Sequence, residues 1–134
     1  MSAFWDTNVF VYAFIAGPKQ QIARRALVSG GVISVQVLNE FANVARRKMR
    51  MSWDETHGLL ALLRGLLTVH NLTLEIHETG LRLAERYGFS IYDAMIAASA
   101  LDAGCHTLWS EDMQHGLVLD EGLRIANPFR EPGR

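Results

Sequence analysis

Apolar residues in this chain follow two rhythms: short unbroken blocks, and longer stretches spaced three and four apart. Ala3 to Asp6 reads as a short buried strand. Residues 9–16 are apolar without a clean period, so helix and strand stay open there. Pro18 suits the first turn of a helix that turns Ala23, Ala26 and Leu27 inward and ends at Gly30-Gly31. Val32-Ile33-Ser34 reads as a second short strand. Over residues 35–49, Leu38, Phe41, Ala42, Ala45 and Met49 fall on one helical face. Ser52 and Glu55 have capping-box spacing, ahead of a helix with Leu59, Leu60, Leu63, Leu66 and Leu67 as its apolar face. Gly58 and Gly65 weaken that helix. Residues 68–72 have strand character. Residues 75–87 return to helical spacing through Ile76, Leu81, Leu83 and Ala84, with Gly88 as a stop. Residues 91–103 are small or apolar nearly throughout, the pattern of a helix buried on most sides. Gly104 ends it, His106–Trp109 forms the next strand, and Leu123–Ala126 the last.

Short apolar strands alternating with helices predict an α/β fold built on a parallel sheet flanked by helices. With 134 residues and neither repeat nor linker, residues 1–134 read as a single domain, with a loose tail over 130–134. A chain of this size buries about two thirds of its unfolded surface, enough for a core without staples. A composition of 49% hydrophobic and 20% charged residues excludes a disordered chain. The net charge of −1 points neither toward nor away from nucleic acid. Cys105 is the single cysteine, so no intrachain disulfide forms and a reducing compartment fits; its apolar surroundings make it a packing residue. The apolar run 9–16 follows Asp6 with no basic residue before it, unlike a signal peptide, and is too short to span a bilayer. The expectation is a cytoplasmic protein without membrane association.

The candidate chemistry lies in four carboxylates: Asp6, Glu40, Asp93 and Asp112. Each stands where a strand gives way to a helix, or in the first turns of a helix. In an open parallel sheet those places face one crevice, where ligands bind. Acids far apart in sequence can therefore converge. Converged carboxylates repel by roughly 4 kcal/mol per pair at ~4 Å and an effective dielectric of about 20. A divalent cation relieves that repulsion, and all-oxygen donors suit Mg²⁺ or Mn²⁺. Each acid also has a structural reading. Ser90 to Asp93 has capping-box spacing, Asp6 can cap the residues after Thr7, and Asp112 can belong to a polar turn entering a helix. Glu40 is harder to explain away, since it borders an apolar face where a solvated charge is less expected.

Other chemistries fit less well. His77-Glu78 begins a zinc-protease-like string, but Leu81 stands where the second histidine belongs. His57, His70, His106 and His115 lack ligand spacing, and there is no glycine-rich phosphate loop or nucleophile elbow. Arg46, Arg47, Lys48 and Arg50 form the densest basic run. They suit a solvated helix end, or contacts to an RNA phosphate backbone; Arg24-Arg25 is a weaker candidate. Trp5, Trp53 and Trp109 read as core residues.

Four blocks, in order, resemble the PIN domain, and most closely the VapC-type toxins of bacterial toxin–antitoxin pairs: Phe4 to Val9, Leu38 to Phe41, Tyr92 to Ala98 and Leu108 to Gly116. The ending Ile125 to Phe129 is similar to that group as well. The resemblance spans essentially the whole chain. It implies a three-layer α/β/α fold with a short-stranded central parallel sheet, and a Mg²⁺- or Mn²⁺-dependent endoribonuclease. Asp6, Glu40, Asp93 and Asp112 match the acidic, metal-holding site. Ser110 matches a small hydroxyl position that orients it, and Thr7 and Asn8 stand in support of Asp6. A homodimer and a cognate antitoxin that enters the active-site groove are implied too. Trp5 is bulkier than the aliphatic residue usual before the first Asp, which bears on packing beneath Asp6.

The chemistry then expected is a divalent ion that activates water and stabilises charge at phosphorus. It would cleave RNA to a 5′-phosphate and a 3′-hydroxyl. An aspartyl-phosphate phosphatase wants a second acid two residues after its nucleophile, where Asn8 stands. A phospho-receiver wants an acidic pair in place of Ala3-Phe4-Trp5. The remaining rival is a non-catalytic RNA- or protein-binding PIN module. Such modules tend to lose acids, whereas this chain has all four.

Overall fold

A computed structural model describes residues 3–130. Most of the tail expected to be loose therefore lies outside the described residues. Five three-residue strands form the sheet: β1 (Ala3–Trp5), β2 (Val32–Ser34), β3 (Thr68–His70), β4 (Thr107–Trp109) and β5 (Arg124–Ala126). Their order is β3-β2-β1-β4-β5 and every pairing is parallel. The helices are α1 (Thr7–Val11), α2 (Gln20–Ser29), α3 (Val35–Arg47), α4 (Trp53–Leu66), α5 (Leu74–Tyr87) and α6 (Ile91–Asp102). The expected α/β architecture, a short-stranded parallel sheet flanked by helices, is the one observed.

Local chemistry fixes most boundaries. Ser34 caps α3 by accepting from the Val37 N–H, and Thr73 caps α5 through the Ile76 N–H. Ser52 and Glu55 form the full capping box of α4, which is why that helix persists through Gly58 and Gly65. Gly88 ends α5 in the left-handed region at φ 74°. The undecided stretch 9–16 lies largely within α1 and a 3-10 turn, Tyr12–Phe14. Pro18 precedes α2 and is not part of its first turn.

The core joins Phe4, Phe10, Ile33, Phe41, Leu63, Ile96, Leu108 and Ile125, all essentially without solvent exposure. Helix α6 is buried from Ala94 to Ala100, as its composition predicts. On α5 the buried stripe is Ile76, Gly80 and Leu83, while Leu81 lies outside it and is exposed. The true period runs 76, 80, 83, and glycine at 80 lets α5 approach Met95 of α6. A Cβ there would stand 2.5 Å from the Met95 sulfur. On α4, Leu63 is buried, but Leu66 is turned out. Trp53, expected in the core, is 60% exposed, because it opens a surface helix beneath the guanidinium of Arg46. Cys105 is buried and free, as expected.

Trp5 packs on Trp109 and Phe10, each at 5.7 Å between ring centroids. Its Nε1 donates to the Gly30 carbonyl at 3.0 Å. This bulky residue fits beside the first acid because Gly31 leaves room: a Cβ on Gly31 would lie 2.6 Å from that nitrogen. No helix among the described residues is long and apolar enough to cross a membrane.

Candidate active site

The strand order reverses direction between β1 and β4, so the crevice past their C-terminal ends is the expected ligand position. Asp6 immediately follows β1 and Ser110 immediately follows β4. The register Trp5 to Trp109 places the two side by side. Asp6 is only 6% exposed. Its Oδ1 accepts from the Thr7 N–H at 2.7 Å, and its Oδ2 accepts from the Ser110 hydroxyl at 2.8 Å. Ser110, fully buried, also accepts from the Met113 N–H, which ties the turn after β4 to the first acid. Asp6 is thus the N-cap of α1, and its second oxygen reaches across to the neighbouring strand.

Thr7 and Asn8, expected around Asp6, reach further. The Thr7 hydroxyl donates to Glu40 Oε1 at 2.5 Å, so only its backbone N–H serves Asp6. The Asn8 amide donates to Asp112 Oδ2. The string Asp6-Thr7-Asn8 therefore touches three of the four acids, because α1 starts at the centre of the sheet edge. Glu40, in the second turn of α3, also accepts from Gln36 Nε2 at 3.2 Å. Asp112 lies in an exposed bend with no helix after it, so the turn entering a helix is not formed. At Asp93 the Ser90 hydroxyl accepts from the backbone N–H, which caps α6.

The electrostatics link these groups. Burial pushes the Asp6 carboxyl up to about 6; the Ser110 hydroxyl and the Thr7 N–H oppose that rise, while the charges of Glu40 and Asp93 add to it. Burial likewise raises Asp93; Ser90 opposes and the charge of Asp112 adds. All four acids thus lie within electrostatic reach of at least one other. They do not form a closed cage: among the described residues, no three His, Cys, Asp or Glu side chains are grouped so that they could hold a metal ion. Thr7, Gln36 and Asn8 hold Glu40 and Asp112 by hydrogen bonds. The donors still fit a hard divalent cation in kind, being carboxylate oxygens around a buried acid disfavoured by its neighbours' charge.

The basic run is less closely tied to this edge. Helix α3 starts at the acid edge and runs away from it, and Arg46 stands six residues beyond Glu40, about 9 Å along the axis. Arg46, Arg47, Lys48 and Arg50 are exposed. Arg46 is already engaged, donating to the Met51 carbonyl at 2.6 Å with its guanidinium 4.3 Å from the Trp53 ring centroid.

Two features escaped the sequence. Gln36 donates both to Glu40 and, at 3.0 Å, to the Tyr92 carbonyl, bridging α3 to α6. Its spacing of four residues before Glu40 was the available signal. Next to Asp112, Glu111 pairs with Lys19 and accepts from the Tyr12 hydroxyl at 2.6 Å; Lys19 lies over the Tyr12 and Phe129 rings. Burial tends to raise the Glu111 carboxyl, but Lys19 and Tyr12 together outweigh it and hold it below its ordinary value. No local pattern links positions 92 residues apart.

The family model for the PIN domain matches residues 3–116. No curated protein matches the sequence. Solved structures similar in fold include a toxin–antitoxin complex from Klebsiella pneumoniae, with TM-score 0.73 and 20% identity over 97% of this chain and 100% of the other. VapC20 of Mycobacterium tuberculosis, a toxin that cleaves the sarcin-ricin loop, aligns with TM-score 0.68 and 21% identity over 83% of this chain and 92% of that one. The Rickettsia felis VapBC2 complex, bound to a promoter DNA fragment, aligns with TM-score 0.69 and 20% identity over 95% and 98%.

Proposed function

The chain belongs to the PIN domain family, and on that premise we propose that it is a Mg²⁺- or Mn²⁺-dependent endoribonuclease, the toxin of a toxin–antitoxin pair. The observation that carries the reading is the buried Asp6, pushed up to about 6 by burial and by carboxylates from two other elements. Such an arrangement costs stability without a compensating positive charge, and clustered perturbed acids mark functional sites. Asp6, Glu40, Asp93 and Asp112 would hold the ion. When bound, it would supply the positive charge and Lewis acidity that ready water for attack on a phosphodiester.

The chain's own groups orient the site. Ser110 and the Thr7 N–H fix both oxygens of Asp6, Thr7 and Gln36 position Glu40, and Asn8 positions Asp112. The Lys19–Glu111–Tyr12 cluster steadies the bend that carries Asp112. No histidine stands among these hydrogen-bonded groups, in keeping with hydrolysis to a 5′-phosphate and a 3′-hydroxyl. The exposed Arg47, Lys48 and Arg50, with Arg46, would meet RNA phosphates outside the cut itself. The toxin reading draws on the likeness in fold to toxin–antitoxin complexes, and brings with it an antitoxin partner, a homodimer and a cytoplasmic setting.

One observation favours the rival, a non-catalytic PIN module: the acids do not close into a cage. Purified protein free of antitoxin decides between them, incubated with total RNA and Mg²⁺ or Mn²⁺ and with product ends mapped. Cleavage abolished by EDTA and by Asp93→Asn, with 5′-phosphate ends, is the expected result. Cleavage that persists in EDTA, or products ending in 2′,3′-cyclic phosphates, would sink the mechanism. No cleavage under any condition would favour the binding module.

A further inference from the structure

Beside the acid edge lies a cavity of about 230 Å³ that shares only Gln36 with the orienting contacts. Buried Ile76 and Met95 and exposed Leu72, Ile91 and Tyr92 supply its apolar lining, and Gln36, Thr73 and His77 its polar lining. Two of these residues tie it to the site. Gln36 donates to Glu40 and to the Tyr92 carbonyl, and Tyr92 directly precedes Asp93. A strand with a phosphate at the acids therefore has an adjoining nucleoside within reach of the cavity. The walls are mainly apolar, which disfavours a phosphate, a sugar or an ion. Tyr92 is 69% exposed and Ile91 48%, so the mouth carries apolar surface that a ligand would cover.

Pockets for drug-sized ligands measure about 300–1,000 Å³. A smaller cavity suits one flat ring system. RNA is read where unpaired bases stack on aromatic side chains and are hydrogen-bonded along their edges. Both groups are present here. Both hydrogen bonds of Gln36 employ Nε2, and its carbonyl oxygen accepts none among the described residues, leaving an acceptor for a base amine.

We propose that this cavity seats an unpaired nucleobase flanking the scissile phosphate, stacked on Tyr92, and that it sets the sequence preference at that position. The inference rests on the ribonuclease reading. It is tested with single-stranded RNA randomised around the cut and with 2-aminopurine-labelled RNA, using wild type, Tyr92→Ala and Tyr92→Phe. Tyr92 is exposed, so the variants should melt with the wild type. In the cleavage arm, Tyr92→Ala should raise KM about ten-fold, leave kcat nearly unchanged and flatten the base preference at one flanking position. Tyr92→Phe should restore both. In the binding arm, in EDTA, wild type and Tyr92→Phe should quench 2-aminopurine and Tyr92→Ala should not. Wild-type KM and preference in Tyr92→Ala, or equal quenching in all three, would overturn the proposal. So would a changed oligomeric state with RNA binding untouched, which would make the patch a protein interface. Absence of cleavage by wild type, with quenching still lost in Tyr92→Ala, would remove the nuclease reading and keep the base seat.

Discussion

Removing the charge of Asp6 should stabilise this protein in the absence of metal. Asp6 is 6% exposed and its carboxyl titrates at about 6 in the fold, against 3.8 without the fold's influence. At roughly 1.4 kcal/mol per pH unit, that displacement corresponds to about 3 kcal/mol. A folded value above the unfolded one means that ionisation opposes folding. The cost is absent below about 3.8, grows between there and about 6, and is complete above about 6. Asp6→Asn keeps the shape and an acceptor for the Thr7 N–H, and its amide can donate to the Ser110 oxygen. In EDTA the variant should be more stable than wild type at pH 8, by up to about 3 kcal/mol, or about 10 °C in Tm for a domain of this size. The gap should shrink as pH falls through 6 and vanish near pH 4. Urea melts of both proteins from pH 4 to 8 measure it directly. Titrations of groups that do not interact with Asp6 cancel in the difference, and those of Glu40 and Asp93, which do, belong to the same effect. Mn²⁺ should close most of that gap: at 100 times its Kd it stabilises wild type by about 2.7 kcal/mol, and Asp6→Asn should gain much less. A stability difference independent of pH, or one that favours wild type at pH 8 in EDTA, would refute the account of Asp6 as a buried charge awaiting a cation.

Two further outcomes follow from the packing and the surface. Gly31→Ala should destabilise the fold by about 2–4 kcal/mol, because φ is 129° there and the new Cβ would meet the Ala3 carbonyl at 2.7 Å; a urea midpoint within error of wild type would show that the β1 edge yields. Replacing Arg47, Lys48 and Arg50 by Ala should lower the slope of RNA affinity against salt by nearly one unit for each phosphate no longer neutralised, while leaving the melt unchanged; equal slopes would return these residues to a solvated helix end.

The fold was legible wherever a boundary carries its own chemistry. Ser52 with Glu55, Ser34 and Gly88 mark helix ends through hydrogen bonds or a left-handed φ that few residues supply. The short strands show as apolar blocks because a central parallel strand is covered on both faces. Residues 9–16 were not legible. Val9, Phe10, Val11 and Ala13 are buried in succession because α1 and the turn after it pack against α2 and α3, and the apolar run continues into exposed Ile15 and Ala16, so no period shows. Trp53 misled for the opposite reason: hydrophobicity predicts burial only on average, and a cation over its ring holds this one at the surface. The placing of the acids at one edge followed from connectivity, since parallel strands deliver their C-terminal ends to the same side. What connectivity does not determine is where each carboxylate turns. Asp6-Thr7-Asn8 is a contiguous string, yet its second residue bonds an acid 33 positions away and its third an acid 104 positions away. Those two bonds give Glu40 and Asp112 a hydrogen-bond partner while no cation is present. Asp6 differs, since burial pushes its carboxyl up, its two hydrogen bonds do not offset that rise, and the charges of Glu40 and Asp93 add to it. An entering cation would therefore act first on the buried charge of Asp6, and would compete with Thr7 and Asn8 for Glu40 and Asp112. The string that identifies the site in the sequence thus also supplies hydrogen-bond donors to two of the other three acids.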